Sequence, residues 1–195
     1  MPRLVVLTGG PGAGKTAALE VVRKHFGAAV EVLPESAGII FGGGFPRRAT
    51  PAARRAAQRA IFRVQRELER LACDESTAKL VLCDRGTLDG LAYWPDDSDD
   101  LLADVGVRRA DEVARYALVI HMRPPAAGHG FDHSNPLRIE SALQSATVDA
   151  GIERAWAGHP RRVVVASTDV FLDKVAEVTA LVEAELAAIA SARSA

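Results

Sequence analysis

The segment Gly9-Gly10-Pro11-Gly12-Ala13-Gly14-Lys15-Thr16 constrains this chain more than any other stretch. It spells G-x-x-x-x-G-K-T, follows the apolar run Leu4–Thr8 and opens the helical stretch Lys15–Phe26. Strand, glycine loop and helix in that order form a phosphate cradle. The glycines let backbone N–H groups turn inward as an anion nest, and the helix N-terminus adds its partial positive charge. Lys15 is placed to reach the β- and γ-phosphates, and the Thr16 hydroxyl to ligate Mg²⁺. A bare glycine turn before a helix requires neither residue. The nucleotide-binding candidates are therefore Gly9, Gly10, Pro11, Gly12, Ala13, Gly14, Lys15 and Thr16, with ATP and Mg²⁺ the expected cofactors.

The rest of the chain fits such a core. Leu4–Thr8, Val30–Leu33, Leu80–Asp84, Leu118–Met122 and Val163–Ala166 are short apolar runs without alternation, the pattern of parallel strands covered on both faces. Helical stretches lie between them at Lys15–Phe26, Pro51–Asp74, Arg108–Tyr116 and Glu140–Ala157, with a last one from about Asp169. Thr50-Pro51 supplies a capping hydroxyl and then proline in the first turn, and Ser167-Thr168-Asp169 offers another cap. The fold class is α/β: a three-layer sandwich with a parallel sheet of about five strands. With 195 residues, no internal repeat and no linker, residues 1–195 read as one domain. The formal net charge of −1 speaks against nucleic acid and anionic membranes as global partners. No apolar run approaches the ~18 residues that span a bilayer, and the N-terminus lacks a signal-peptide pattern. Cys73 and Cys83 have no metal-ligand spacing, and Cys83 sits in an apolar run as a core residue. A cytoplasmic setting is expected.

The third strand ends in Asp84-Arg85-Gly86. A carboxylate at the tip of the strand beside the phosphate loop can hold Mg²⁺, directly or through water, or act as general base. Arg85 offers a planar donor fork to a phosphoryl group or an acceptor; the plainer alternative is a turn with a surface ion pair.

Together, Gly9–Thr16, Leu33-Pro34-Glu35-Ser36-Ala37, the segment Cys83–Tyr93, Arg138-Ile139-Glu140-Ser141 and the tail His159–Arg162 through Ser167-Thr168-Asp169 resemble the AAA-type ATP-binding P-loop family related to nucleoside kinases. That family includes the ribosylnicotinamide kinase domain. The resemblance spans essentially the whole chain and implies the strand order 2-3-1-4-5. No second ATPase subdomain follows the sheet, a departure from ring-forming motors. The resemblance places Glu35 near an acceptor hydroxyl as a base; a carboxylate at the start of a short helix over Ser36–Phe41 is the equal alternative. Which of Glu35 and Asp84 is the general base stays open. P-loop kinases close a lid after the fourth strand, which puts a candidate lid at 123–140, with Arg123 and Arg138 as arginines that could meet the transferring phosphoryl. The catalytic candidates are Lys15, Glu35, Asp84, Arg85 and Arg138; the metal candidates are Thr16 and Asp84.

The helix Pro51–Asp74 carries Ile61, Val64, Leu68 and Leu71 on one face and Arg55, Arg59, Arg63, Arg66 and Arg70 on the other. The arginine stripe is a solvated face with local ion pairs or a surface for an acidic partner. It lacks the interleaved aromatics of single-stranded nucleic-acid binders. Arg47, Arg48, Arg54 and Arg55, beside Gly42-Gly43-Gly44, are better placed to meet a substrate phosphate. His129 and His133 lie among glycines and prolines, not on a helix that would pair them around zinc. The chain lacks the guanine-reading Asn-Lys-x-Asp pattern, which favours ATP. Two functions follow: phosphoryl transfer from ATP to a small, nucleoside-like hydroxyl acceptor, or a regulatory NTPase switch that binds a partner in one nucleotide state. An enclosed acceptor pocket beside Glu35 and Asp84 would separate them.

Overall fold

The computed structural model describes residues 1–95, 100–125, 142–168 and 170–194. Five strands, β1 (Arg3–Thr8), β2 (Val30–Leu33), β3 (Leu80–Asp84), β4 (Tyr116–Met122) and β5 (Arg162–Val165), form one sheet. It is parallel throughout, in the order β2-β3-β1-β4-β5. The helices among the described residues are α1 (Lys15–Phe26), α2 (Ser36–Gly42), α3 (Pro51–Glu75), α4 (Asp100–Val105), α5 (Arg109–Ala114), α6 (Ala142–Ala155) and α7 (Phe171–Ser194), with a 3₁₀ segment over Thr87–Tyr93.

The continuous apolar strands have the cause expected of them. Successive residues point to opposite faces, and each face has its own core. Leu4, Val6, Val81, Cys83 and Val119 pack with Phe62, Ile152 and Trp156 on one side. Val5, Leu7, Leu80, Leu82, Leu118, Ile120 and Met122 pack with residues of α1 and α7 on the other. Cys83 is fully buried, and burial pushes its thiol well up. Thr50 caps α3 by accepting the Ala53 N–H, with Pro51 in the first turn. The last cap differs: the Thr168 hydroxyl donates to the Val170 carbonyl, and α7 begins at Phe171.

Two elements depart from the sequence pattern. The helix expected over Arg108–Tyr116 is one short turn, α5, because Tyr116 already belongs to β4. The buried face of α3 is Ala57, Gln58, Phe62, Gln65, Glu69 and Ala72, whereas Ile61, Val64 and Leu68 are half-buried and Leu71 is exposed. That face is polar because it meets a buried network. Gln65 donates to Glu69, which also accepts from the Tyr116 hydroxyl and from Arg115. The arginine stripe, in turn, ties α3 to its neighbours. Arg59 pairs with Asp104, Arg63 donates to the Val105 carbonyl, Arg66 pairs with Glu112, and Arg70 faces Asp74 within the helix. Arg55 stacks over the Trp94 ring.

Candidate functional site

The phosphate loop joins β1 to α1 at the carboxyl edge of the sheet, where ligands of open α/β folds sit. Two of its glycines are dictated by their surroundings. Gly9 has φ 137°, and a Cβ there would lie 2.0 Å from the Met122 carbonyl oxygen. Gly14 has φ 91°, and a Cβ there would meet the Phe171 ring at 2.3 Å. Both conformations also strain any L side chain.

Lys15 folds back over the loop, its Nζ donating to the carbonyls of Gly9 at 2.8 Å and Gly10 at 3.2 Å. Burial, and then the positive Arg85, pull its pKa down to about 7, against Asp84, Glu35 and Asp89. Thr16 follows, exposed in the first turn of α1. Asp84 ends β3, its Cα paired in register with Leu7 of the loop's own strand. Its Oδ1 is buried with no hydrogen-bond partner among the described residues, and burial, then Glu35, push its carboxyl up to about 6. An orphaned hard oxygen beside a phosphate cradle suits Mg²⁺. No group of three or more His, Cys, Asp or Glu that could hold a metal exists among the described residues. Thr16 and Asp84 thus fit a cation that takes its other ligands from phosphate and water, as Mg²⁺ commonly does.

Arg85 joins the loop to Glu35. Among the described residues it is the non-glycine one with left-handed backbone, φ 70°, and its N–H donates to the Leu7 carbonyl at 3.0 Å. Its Nε donates to Glu35 at 2.6 Å, and one terminal nitrogen reaches both the Gly9 carbonyl and Asp89 at 3.3 Å. Its guanidinium also lies over the Tyr93 ring. The buried Asp89 accepts from Thr8, Trp156 Nε1 and Arg85, which locks Arg85 from beneath. Asp89 lies four residues after Arg85 in the Asp84–Tyr93 segment, the only sequence signal that could have found it.

A cavity of about 930 Å³ opens beside the loop, bounded by Pro11 and Gly12, by Glu35 and Arg85, and by α2, α3 and the 3₁₀ segment. Glu35 lines it from the position just before α2. Asp84 is not among its walls, so the structure brings Glu35, Arg85 and Asp89 to the cavity and Asp84 to the loop.

Three further residues, on two helices, brace the loop, and sequence reasoning missed them. Asp149 on α6 accepts the Gly10 N–H at 2.7 Å and bonds His121 Nε2 at 2.8 Å. Ser145, one turn earlier, donates to the Pro11 carbonyl. Lys174 on α7 donates to the carbonyls of Ala13 and Arg123. Single polar residues inside an otherwise ordinary helix give no motif, so only the tertiary fold reveals them. Arg123, expected to face the transferring phosphoryl, instead pairs with Asp149 at 2.7 Å and Glu153 at 2.6 Å. It anchors α6 to the end of β4. Arg138, His129 and His133 lie outside the described residues, as does most of the candidate lid at 123–140 and most of the acidic run after Pro95. No helix among the described residues is long and apolar enough to cross a membrane.

No curated protein matches the chain. Residues 4–171 match the family described as AAA domain, a span that runs from β1 to the first residue of α7. With its parallel sheet of order 2-3-1-4-5 and its glycine loop, the chain belongs to that AAA-type P-loop family of nucleotide-binding domains.

Proposed function

We propose that the protein transfers the γ-phosphoryl group of ATP to a hydroxyl on a small, nucleoside-like acceptor held in the cavity beside the loop. The observation that carries this reading is the cavity itself. It is lined by Pro11 and Gly12 of the phosphate loop and by Glu35 and Arg85. A volume of about 930 Å³ falls in the range of small-molecule sites. A nucleotide switch that acts by partner binding requires no such chamber.

The residues divide the work. The loop N–H groups and Lys15 hold the phosphates, and Lys15 must leave the carbonyls of Gly9 and Gly10 to do so. Thr16 and Asp84 would hold Mg²⁺, which supplies charge neutralisation on the β- and γ-phosphates. Arg85 donates to charge that develops between loop and acceptor, and its bond to Glu35 fixes that carboxylate against the cavity wall. Glu35 accepts the acceptor's hydroxyl proton as the oxygen attacks phosphorus; the bond from phosphorus to the leaving ADP oxygen breaks, and the proton leaves with Glu35. This assignment gives Glu35 the acceptor and Asp84 the metal.

The test is a panel of nucleosides, sugars and vitamins incubated with ATP and Mg²⁺ and read by mass spectrometry for a gain of one phosphoryl group. One acceptor should be phosphorylated and should speed ATP consumption, and Glu35→Gln should suppress transfer while ATP binding persists. If no acceptor reacts, and a protein partner is retained only in the presence of ATP, the switch reading replaces this one.

A further inference from the structure

The cavity is not electrically even. Its two acidic wall residues, Glu35 and Asp89, are both engaged by Arg85. Arg47, Arg48 and Arg54 also line it, and no carboxylate among the described residues pairs with any of the three. Arg54 is held by the carbonyls of Tyr93 and Trp94. The Arg47 guanidinium lies 5.2 Å from the centre of the Phe41 ring. Phe41 is six residues beyond Glu35 on α2, which at a rise of about 1.5 Å per residue sets it about 9 Å along the helix axis. The unmatched positive charge is therefore displaced from the carboxylate that faces the hydroxyl. The same cavity is lined by Ile61, Phe62 and the buried Gln58, surfaces for a ring with polar edges.

We propose that the acceptor is itself a phosphate ester: a molecule whose reacting hydroxyl lies against Glu35 and whose phosphate is gripped by Arg47 and Arg48, with Arg54 completing the charge. This inference rests on the kinase reading and narrows its substrate class from a neutral nucleoside-like compound to a phosphorylated one. Arginine is the residue suited to such a grip, because its fork matches phosphate oxygens in pairs. A neutral acceptor would leave Arg47 and Arg48 without an anionic partner at the cavity.

The test uses the whole chain with its phosphate loop filled by Mg²⁺ and a non-hydrolysable ATP analogue. Matched pairs are titrated by calorimetry: ribose against ribose 5-phosphate, and cytidine against cytidine 5′-monophosphate. The phosphorylated member of at least one pair should bind tenfold or more tightly than its neutral partner. The double variant Arg47→Glu/Arg48→Glu should erase that preference while affinity for the ATP analogue stays within twofold. Arg47→Lys/Arg48→Lys should keep most of it. Equal affinity within every pair, binding of no phosphorylated member, or an equal effect of the charge reversal on both members would overturn the inference. Phosphorylation of a neutral acceptor with unchanged efficiency in the charge-reversed variant would overturn it and leave the kinase reading standing. Tight binding of phosphate esters without any phosphoryl transfer from ATP would do the opposite: the arginine site would stand and the kinase reading would fall.

Discussion

Removing the Asp149 carboxylate should loosen the phosphate loop and the fold together. The side chain serves three donors at once: Gly10 N–H at 2.7 Å, His121 Nε2 at 2.8 Å and Arg123 at 2.7 Å. His121 is fully buried, and among the described residues its other ring nitrogen has no partner, so Asp149 is the one group its ring bonds there. Asp149→Ala leaves the His121 ring and the Gly10 N–H without an acceptor, at about 1–3 kcal/mol for each buried orphan. Arg123 is about a third exposed and keeps Glu153, so its loss adds little. The expected total is about 2–6 kcal/mol, read as a lower urea midpoint at unchanged slope. Asp149→Asn keeps the volume and one acceptor oxygen and should cost less. The carboxyl is also held below its ordinary range. Burial would raise it, but the bonds from His121, Arg123 and the Gly10 N–H outweigh that. A depressed native pKa contributes stability that is fully present above the unfolded value of about 3.9 and is lost as pH falls through the native value. The gap between wild type and Asp149→Asn should therefore narrow below about pH 4. An Asp149→Ala midpoint within about 0.5 kcal/mol of wild type, with normal ATP affinity, would refute the brace.

Lys15→Ala should abolish ATP–Mg²⁺ binding by calorimetry, because it removes the cation that folds over the loop; unchanged affinity would count against the cradle. Asp84→Asn should weaken Mg²⁺-dependent turnover far more than metal-free nucleotide binding, since an amide is a poorer ligand for a hard cation; identical Mg²⁺ titrations would exclude Asp84 from the metal. Gly14→Ala should lower ATP affinity at least tenfold. The added Phe171→Ala change should recover part of that loss by removing the ring, while the strained φ remains. Full recovery, or none, would show that only one of the two effects operates.

The phosphate loop and the sheet were legible in the sequence because each is written in contiguous residues. Gly9–Thr16 is a spelled motif, and five short apolar runs between helical stretches leave few topologies open. Boundaries slipped where tertiary contacts decide. Tyr116 reads as the end of a helix, but its hydroxyl is needed by Glu69 and its backbone by the sheet. The face of α3 was misassigned for a related reason: periodicity counts Ile61 and Leu71 as buried because they are apolar, and it cannot know that Gln65 and Glu69 have buried partners. Asp149 and Asp89 were invisible as functional residues. Their roles depend on what lies across the fold, Gly10 and His121 for one, Thr8 and Trp156 for the other. Arg123 was visible as a charge beside a loop, but nothing contiguous in the sequence shows the two carboxylates on α6 that pair with it.

Arg85 shows why the loop and the cavity must be read as one site. A left-handed backbone costs a non-glycine residue about 1–2 kcal/mol, and glycine would take φ 70° without that cost. The strain is tolerated because the side chain makes contacts no smaller residue could make. One guanidinium touches a carbonyl of the phosphate loop, the carboxylate on the cavity wall and the buried carboxylate beneath it. A lysine has one nitrogen and could not span them. Lys15 and Arg85 share the Gly9 carbonyl, so on the proposed function a Lys15 drawn to nucleotide phosphates would leave that oxygen to the guanidinium that fixes Glu35. The proposed transfer of a phosphoryl group from loop to cavity gives that junction a use, because one guanidinium touches the loop and the carboxylate that lines the cavity.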